Sequence, residues 1–279
     1  MPLSLSRSEE VPGPYPRLMS VASVVNRLLP AVLVATALLA VLPSLLGDRS
    51  LLVVTVGDSV TYDADPGIRA ALESAGPVVV DTRSIGGVGL LRSGIDGYLA
   101  EAMAGDPDVV VVMLGGWDLG EIVADPRAYE TRLDLVVDRL TGDGAHVVWL
   151  DMPPTPPDEG IEGARQLANG LFADLAKRND DVTHIATGPL LGDEEGGFTR
   201  FRPGVDGERV QVRKVRDGGD DGHLCPGGAA LLGEAVLVVL IKRFGVPESS
   251  PRWWWGPWVG DARYDDPPGA CRSMGTGSG

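Results

Sequence analysis

Ser59 follows a run of apolar residues directly, in Val56-Gly57-Asp58-Ser59-Val60, and His223 lies far along the chain in Asp220-Asp221-Gly222-His223-Leu224-Cys225-Pro226. A serine hydroxyl is a weak nucleophile until a base takes its proton. A histidine, held in one tautomer by a carboxylate, is the usual partner. The chemistry to expect from such a set is nucleophilic attack on a carbonyl through a covalent intermediate. Three histidines are present. His146 and His184 fall within apolar runs that read as strands, where a packed imidazole is the expected role, so His223 is the candidate base. Asp220 is the expected orienting carboxylate, with Asp217 and Asp221 as alternatives in the same acidic run.

Positioning these groups requires a scaffold, and the hydropathy pattern supplies one. Short β-rich runs at Leu51–Val56, Val78–Thr82, Val109–Leu114, His146–Leu150 and Val182–Ala186 alternate with amphipathic stretches near Gly67–Ser74, Gly94–Ala104, Pro126–Leu140, Ile161–Arg178 and Gly228–Phe244. Alternation of this kind specifies an α/β fold, a three-layer α/β/α sandwich around a five-stranded parallel sheet. Ser59 then stands just past the carboxyl end of the first strand, where open α/β sheets bind ligands. Residues 196–219, rich in Gly, Arg and Asp, break the rhythm and read as a loop with a hairpin.

The two ends together resemble the SGNH hydrolases, which carry Gly-Asp-Ser early and Asp-x-x-His late, before a last helix. The resemblance spans about Leu51 to Phe244 and implies a flavodoxin-like sheet, a serine esterase activity and no cofactor or metal. It assigns Ser59 as nucleophile, His223 as base and Asp220 as the third member. It also implies an oxyanion hole from the backbone N–H groups of Ser59 and Gly87, the latter in Ser84-Ile85-Gly86-Gly87 after the second strand. The family's asparagine after the third strand is absent: the segment reads Gly115-Gly116-Trp117-Asp118. Trp117 either donates its indole N–H in place of the amide or walls the pocket, and loss of one such donor typically costs about 2.7–4 kcal/mol in the transition state. Asp58, Gly116 and Asp118 are expected to line the substrate pocket. Trp117 and the Arg213 to Pro226 ending also resemble the SGNH domains of bacterial cell-surface acyltransferases. That likeness implies an acyl ester or O-acylated glycan as substrate, transfer to an envelope sugar as the alternative to hydrolysis, and a membrane acyltransferase as partner; a non-catalytic binding domain that lost its chemistry with the asparagine is the other alternative.

A formal net charge of −15 argues against nucleic acid as a partner. Leu28–Gly47 is free of charge and long enough to cross a bilayer, with Arg7, Arg17 and Arg27 before it. The reading is therefore a cytoplasmic tail at 1–27, a membrane anchor or uncleaved signal at 28–47, an extracytoplasmic domain at 48–250 and a Trp-rich tail at 251–279 with a disordered end. Cys225 and Cys271 are the only cysteines. Outside the cytoplasm they could pair and tie that tail beside His223. The cluster from Trp253 to Trp258 reads as a packed strap, with a membrane or sugar contact as the alternative.

Overall fold

A computed structural model describes residues 49–272; the apolar run at 28–47 and the tip of the tail lie outside the described residues. Five parallel strands, β1 (Leu51–Gly57), β2 (Val78–Thr82), β3 (Val109–Met113), β4 (His146–Leu150) and β5 (Val182–Ile185), form one sheet in the order β2-β1-β3-β4-β5. Gly57 pairs with Met113, so the ends of β1 and β3 lie level at the point where the strand order reverses. Every residue of β3 and β4 is buried, as a sheet covered on both faces requires. One face packs on α2 (Ile95–Met103), α3 (Leu119–Ala124), α4 (Pro126–Thr141) and α5 (Glu162–Arg178) through residues such as Trp149, Tyr129 and Phe172. The other packs on α1 (Ser59–Ser74) and the last helix, α7 (Pro226–Phe244), after a short α6 (Gly188–Leu191). Among the described residues no helix is long and apolar enough to cross a membrane.

The first helix begins at Ser59, eight residues before the expected start at Gly67. Asp58 caps it by accepting from the Val60 N–H at 2.9 Å. The segment looked unlike a helix because it holds Asp63, Asp65 and Pro66, but each is accommodated. Lys214 pairs with Asp63, while Thr55 and Ser84 donate to Asp65. Pro66 has no N–H for the Tyr62 carbonyl one turn back, and the Arg263 guanidinium donates to that carbonyl instead.

Two close approaches bring the ends of the chain together. A methyl group on Gly57 would lie 1.9 Å from Oγ1 of Thr61, whose hydroxyl donates to the Met113 carbonyl and ties α1 to β3. A methyl on Gly67 would lie 2.5 Å from the Ala229 carbonyl, and one on Gly233 2.5 Å from the Gly67 carbonyl. Helices α1 and α7 therefore meet backbone to backbone, which sets Ser59 near the strand that precedes α7. Gly67→Val should cost about 1–3 kcal/mol by overpacking. A urea-unfolding midpoint equal to wild type would refute this close approach.

Residues 201–224 form two antiparallel pairs, β6 (Phe201–Pro203) with β7 (Arg209–Gln211) and β8 (Arg213–Arg216) with β9 (Gly219–Leu224). The second pair turns through Asp217 and Gly218, both at positive φ, as a tight Asp-Gly hairpin turn requires. Residues up to Arg272 then pack on the domain. Trp253 is buried and joins the α1/α7 core with Trp254 and Trp258, so these three pack as a strap, while Trp255 is exposed. The Trp258 indole donates to the Trp253 carbonyl at 3.1 Å. A Cys225–Cys271 disulfide fastens the strap beside the start of α7.

Candidate active site

Ser59 opens α1, so its N–H belongs to the first-turn amides that have no carbonyl within the helix and favour developing negative charge. Its Oγ stands 3.0 Å from Nε2 of His223, and Nδ1 of the same ring stands 2.6 Å from Oδ1 of Asp221. The three side chains form a continuous Ser-His-Asp relay.

Asp220 does not orient His223; the carboxylate that does is Asp221. The expected Asp-x-x-His spacing presumed a loop, but these residues lie on β9, where side chains alternate between faces. Asp221 and His223, two apart, share a face; Asp220 is out of step with them and pairs with Arg200 at the edge of the same cavity. Asp221 also accepts from the His223 N–H at 2.9 Å and from Nε of Arg216 at 2.7 Å. Burial pushes the Asp221 carboxyl up, but the hydrogen bonds from His223 and Arg216 outweigh it and hold the group well below the usual carboxylate range. The Asp221 hydrogen bond, partly opposed by burial, raises His223 above an ordinary imidazole.

The hairpin carrying His223 is fixed from beneath. Arg213, fully buried, donates to the Gly222 carbonyl at 2.7 Å and to the Pro154 carbonyl at 3.1 Å, joining β9 to the loop after β4. Burial brings its guanidinium down to about 9. Lys214, on the next residue, reaches both oxygens of Asp63 at 3.0 and 3.1 Å. Oδ2 of Asp63 also accepts from the Leu224 N–H at 3.2 Å. This pair links the nucleophile's helix to the histidine's strand. Its members are far apart in sequence, and no motif announces them.

A cavity of about 690 Å³ opens at Ser59 and His223, with Asp58, Gly116 and Trp117 in its wall together with Met113, Met152 and Ile161. Asp58 is buried, which pushes its carboxyl up to about 6. Trp117 is 47% exposed on the rim, its ring under the Arg92 guanidinium at 5.4 Å. Asp118 does not line the cavity. It is buried and accepts from the Leu90 N–H at 2.6 Å, the Leu91 N–H at 3.3 Å and the Tyr129 hydroxyl at 3.2 Å. Its work is to latch the loop after β2, because three donors outbid solvent for a carboxylate at this depth. That loop holds the Gly86–Gly87 turn; a methyl on Gly86 would lie 3.8 Å from Cβ of Ser59, and Gly87 takes a positive φ of 82°.

The other histidines stay out of this cavity. His146 shares a 2.8 Å hydrogen bond with Thr183, and burial lowers it to about 4. His184 bonds to Asp151 at 2.6 Å.

A parallel sheet in this order, with a serine after β1 and a histidine before the last helix, is the SGNH hydrolase fold. The chain belongs to the family described as Protein of unknown function (DUF459), whose profile matches residues 52–239. Among solved structures it is similar to a G-D-S-L family protein of Desulfitobacterium hafniense, at 14% identity and a TM-score of 0.53 over 68% of this chain and 99% of that one. An α/β hydrolase enzyme from the metagenome of Lake Arreo, Spain, matches at 15% identity and a TM-score of 0.52, over 68% and 94%. The C-terminal catalytic domain of Streptococcus pneumoniae peptidoglycan O-acetyltransferase A gives 15% identity and a TM-score of 0.44 over 71% and 97%, too loose to argue from. No curated protein matches in sequence.

Proposed function

We propose that the protein is a serine esterase working through an acyl-enzyme on Ser59. The relay from Ser59 through His223 to Asp221, at 3.0 and 2.6 Å, carries this reading. Ser59 Oγ adds to the ester carbonyl carbon while its proton passes to Nε2 of His223. Asp221 stabilises the imidazolium that results. The tetrahedral oxyanion gains from the Ser59 N–H at the start of α1 and from the Gly86–Gly87 turn. Collapse breaks the bond to the alkoxy oxygen, and His223 returns the proton to the departing alcohol. A water, giving its proton to His223, then attacks the acyl-enzyme, releasing the acid and regenerating Ser59. A sugar hydroxyl in place of that water would make the same site an acyltransferase.

On the finer points, we infer that the domain works outside the cytoplasm, anchored by residues 28–47, on O-acylated surface carbohydrate. The Cys225–Cys271 disulfide supports the location, since such bonds persist in oxidising compartments. Alkaline phosphatase fused after Arg272 would be active if the domain is exported and silent if it is not.

The esterase reading is tested with p-nitrophenyl acetate. Wild type should hydrolyse it, and Ser59→Ala should lower kcat by at least ~1,000-fold, as for other nucleophile removals. Equal rates for the two proteins would sink the assignment.

A further inference from the structure

A second cavity, of about 430 Å³, borders the same two residues. Ser59 and His223 line it together with Tyr62, Lys214, Arg216 and Arg263. The two cavities differ in chemistry. The larger has an apolar part, Met113, Met152, Pro153, Ile161 and Trp117, beside an acidic edge that includes Asp158, Glu159 and Asp220, and it shares Arg216 with the smaller. The smaller has no large aliphatic side chain in its wall and is lined by guanidinium, ammonium, carboxylate and phenol groups.

The C-terminal strap supplies one part of the polar wall. Ala262, Arg263 and Asp266 belong to it, and three ties hold them. The Tyr264 hydroxyl donates to the Asp63 carbonyl at 2.8 Å, Lys214 donates to the Arg263 carbonyl at 2.7 Å, and the Cys225–Cys271 disulfide closes the end. Arg263 also lies 3.9 Å over the ring of Tyr62, which is 43% exposed.

Each cation in this wall is already set against a carboxylate. Lys214 faces Asp63, Arg216 faces Asp221 and Arg263 faces Asp261. An anionic group would find no uncompensated charge here. What remain are directional donors, the amino nitrogens of Arg216 and the one amino nitrogen of Arg263 that is not given to the Tyr62 carbonyl, beside the Tyr62 phenol. Such groups suit alcohol hydroxyls, which both donate and accept.

An ester also has two unlike halves, and they must leave its carbonyl in different directions. Building on the serine esterase reading, we propose that the two cavities divide the substrate at Ser59. The larger takes an acyl chain longer than acetyl, and the smaller cavity beside Tyr62 and Arg263 binds a neutral polyol, the alcohol released in hydrolysis or the acceptor in transfer. Each methylene buried on the acyl side should raise kcat/KM by up to about fourfold until the cavity is filled.

The test compares 6-O-butyrylglucose with ethyl butyrate, which share an acyl group. Tyr62→Leu and Arg263→Met, each checked for a wild-type unfolding midpoint, should lower kcat/KM on the glucose ester at least tenfold more than on the ethyl ester. Ile161→Trp should instead lower butyrate relative to acetate esters, whichever alcohol is attached. Parallel losses on both butyrates, or an acyl-length preference that follows Tyr62 and Arg263, would overturn the division. Binding is read separately by calorimetric titration of Ser59→Ala with 6-O-butyrylglucose. If wild type hydrolyses no ester but this binding occurs and Arg263→Met abolishes it, the polyol site stands and the esterase reading falls. If esters are hydrolysed without that discrimination, the polyol site falls and the esterase reading stands.

Discussion

Asp221→Asn is expected to lower kcat on p-nitrophenyl acetate by ~1,000- to 10,000-fold, while Asp220→Asn stays within severalfold of wild type. The asparagine can keep the geometry but not the charge that holds the His223 tautomer and stabilises its cation. Asp220 pairs with Arg200 and not with His223, so its removal leaves the relay intact. A pH profile adds a second reading. His223 must be neutral to accept the Ser59 proton, and its pKa is raised chiefly by the Asp221 hydrogen bond. Wild-type kcat/KM should therefore rise with pH along a limb centred above the ordinary imidazole value of about 6.5. In Asp221→Asn the residual limb should move down. A large loss in Asp220→Asn with little in Asp221→Asn would reverse the assignment.

The second large effect concerns the buried pair behind the site. Lys214 and Asp63 have side chains 5% and 3% exposed. Lys214→Met strands a carboxylate and should cost about 3–5 kcal/mol, whereas Lys214→Met with Asp63→Leu should recover much of that loss. Burial already raises Asp63 above an ordinary carboxyl, and Lys214 is the main opposing influence. Without Lys214 the carboxyl rises further. The folded state then holds a proton that the unfolded chain has released, so stability falls as pH climbs from the unfolded value toward the folded one. Lys214→Met should therefore lose more stability, relative to wild type, at pH 8 than at pH 5. Urea unfolding at both values would show it, and a pH-independent difference would remove the stranded charge as the cause. The activity of the double variant carries separate information. If it folds well but kcat remains low, the pair positions His223 against Ser59 as well as stabilising the fold.

Much of the scaffold was legible because hydrophobic periodicity is a local property. The five strands of the sheet, the helices between them and the place of Ser59 after β1 all follow from apolar runs and their spacing. The start of α1 was not legible. Asp63, Asp65 and Pro66 are poor local signals for a helix, and their partners Lys214, Thr55, Ser84 and Arg263 arrive from elsewhere in the fold. Asp118 misled for the same reason. A carboxylate beside a glycine turn reads as a loop acid until Leu90, Leu91 and Tyr129 close on it.

By itself, then, the sequence determined the order of the sheet's strands along the chain and the candidate nucleophile and base. Those depend on residue type and on neighbours a few positions away. Tertiary structure decided which carboxylate serves His223, because Asp220 and Asp221 are nearly equivalent as residues and differ only in the face of β9 they occupy. It decided also that the strap from Pro251 to Arg272 helps to wall a cleft at Ser59. That wall depends on contacts of Arg263 and Tyr264 with Tyr62 and Asp63, about two hundred residues earlier, and pairings at such separation leave no periodic trace in composition or spacing.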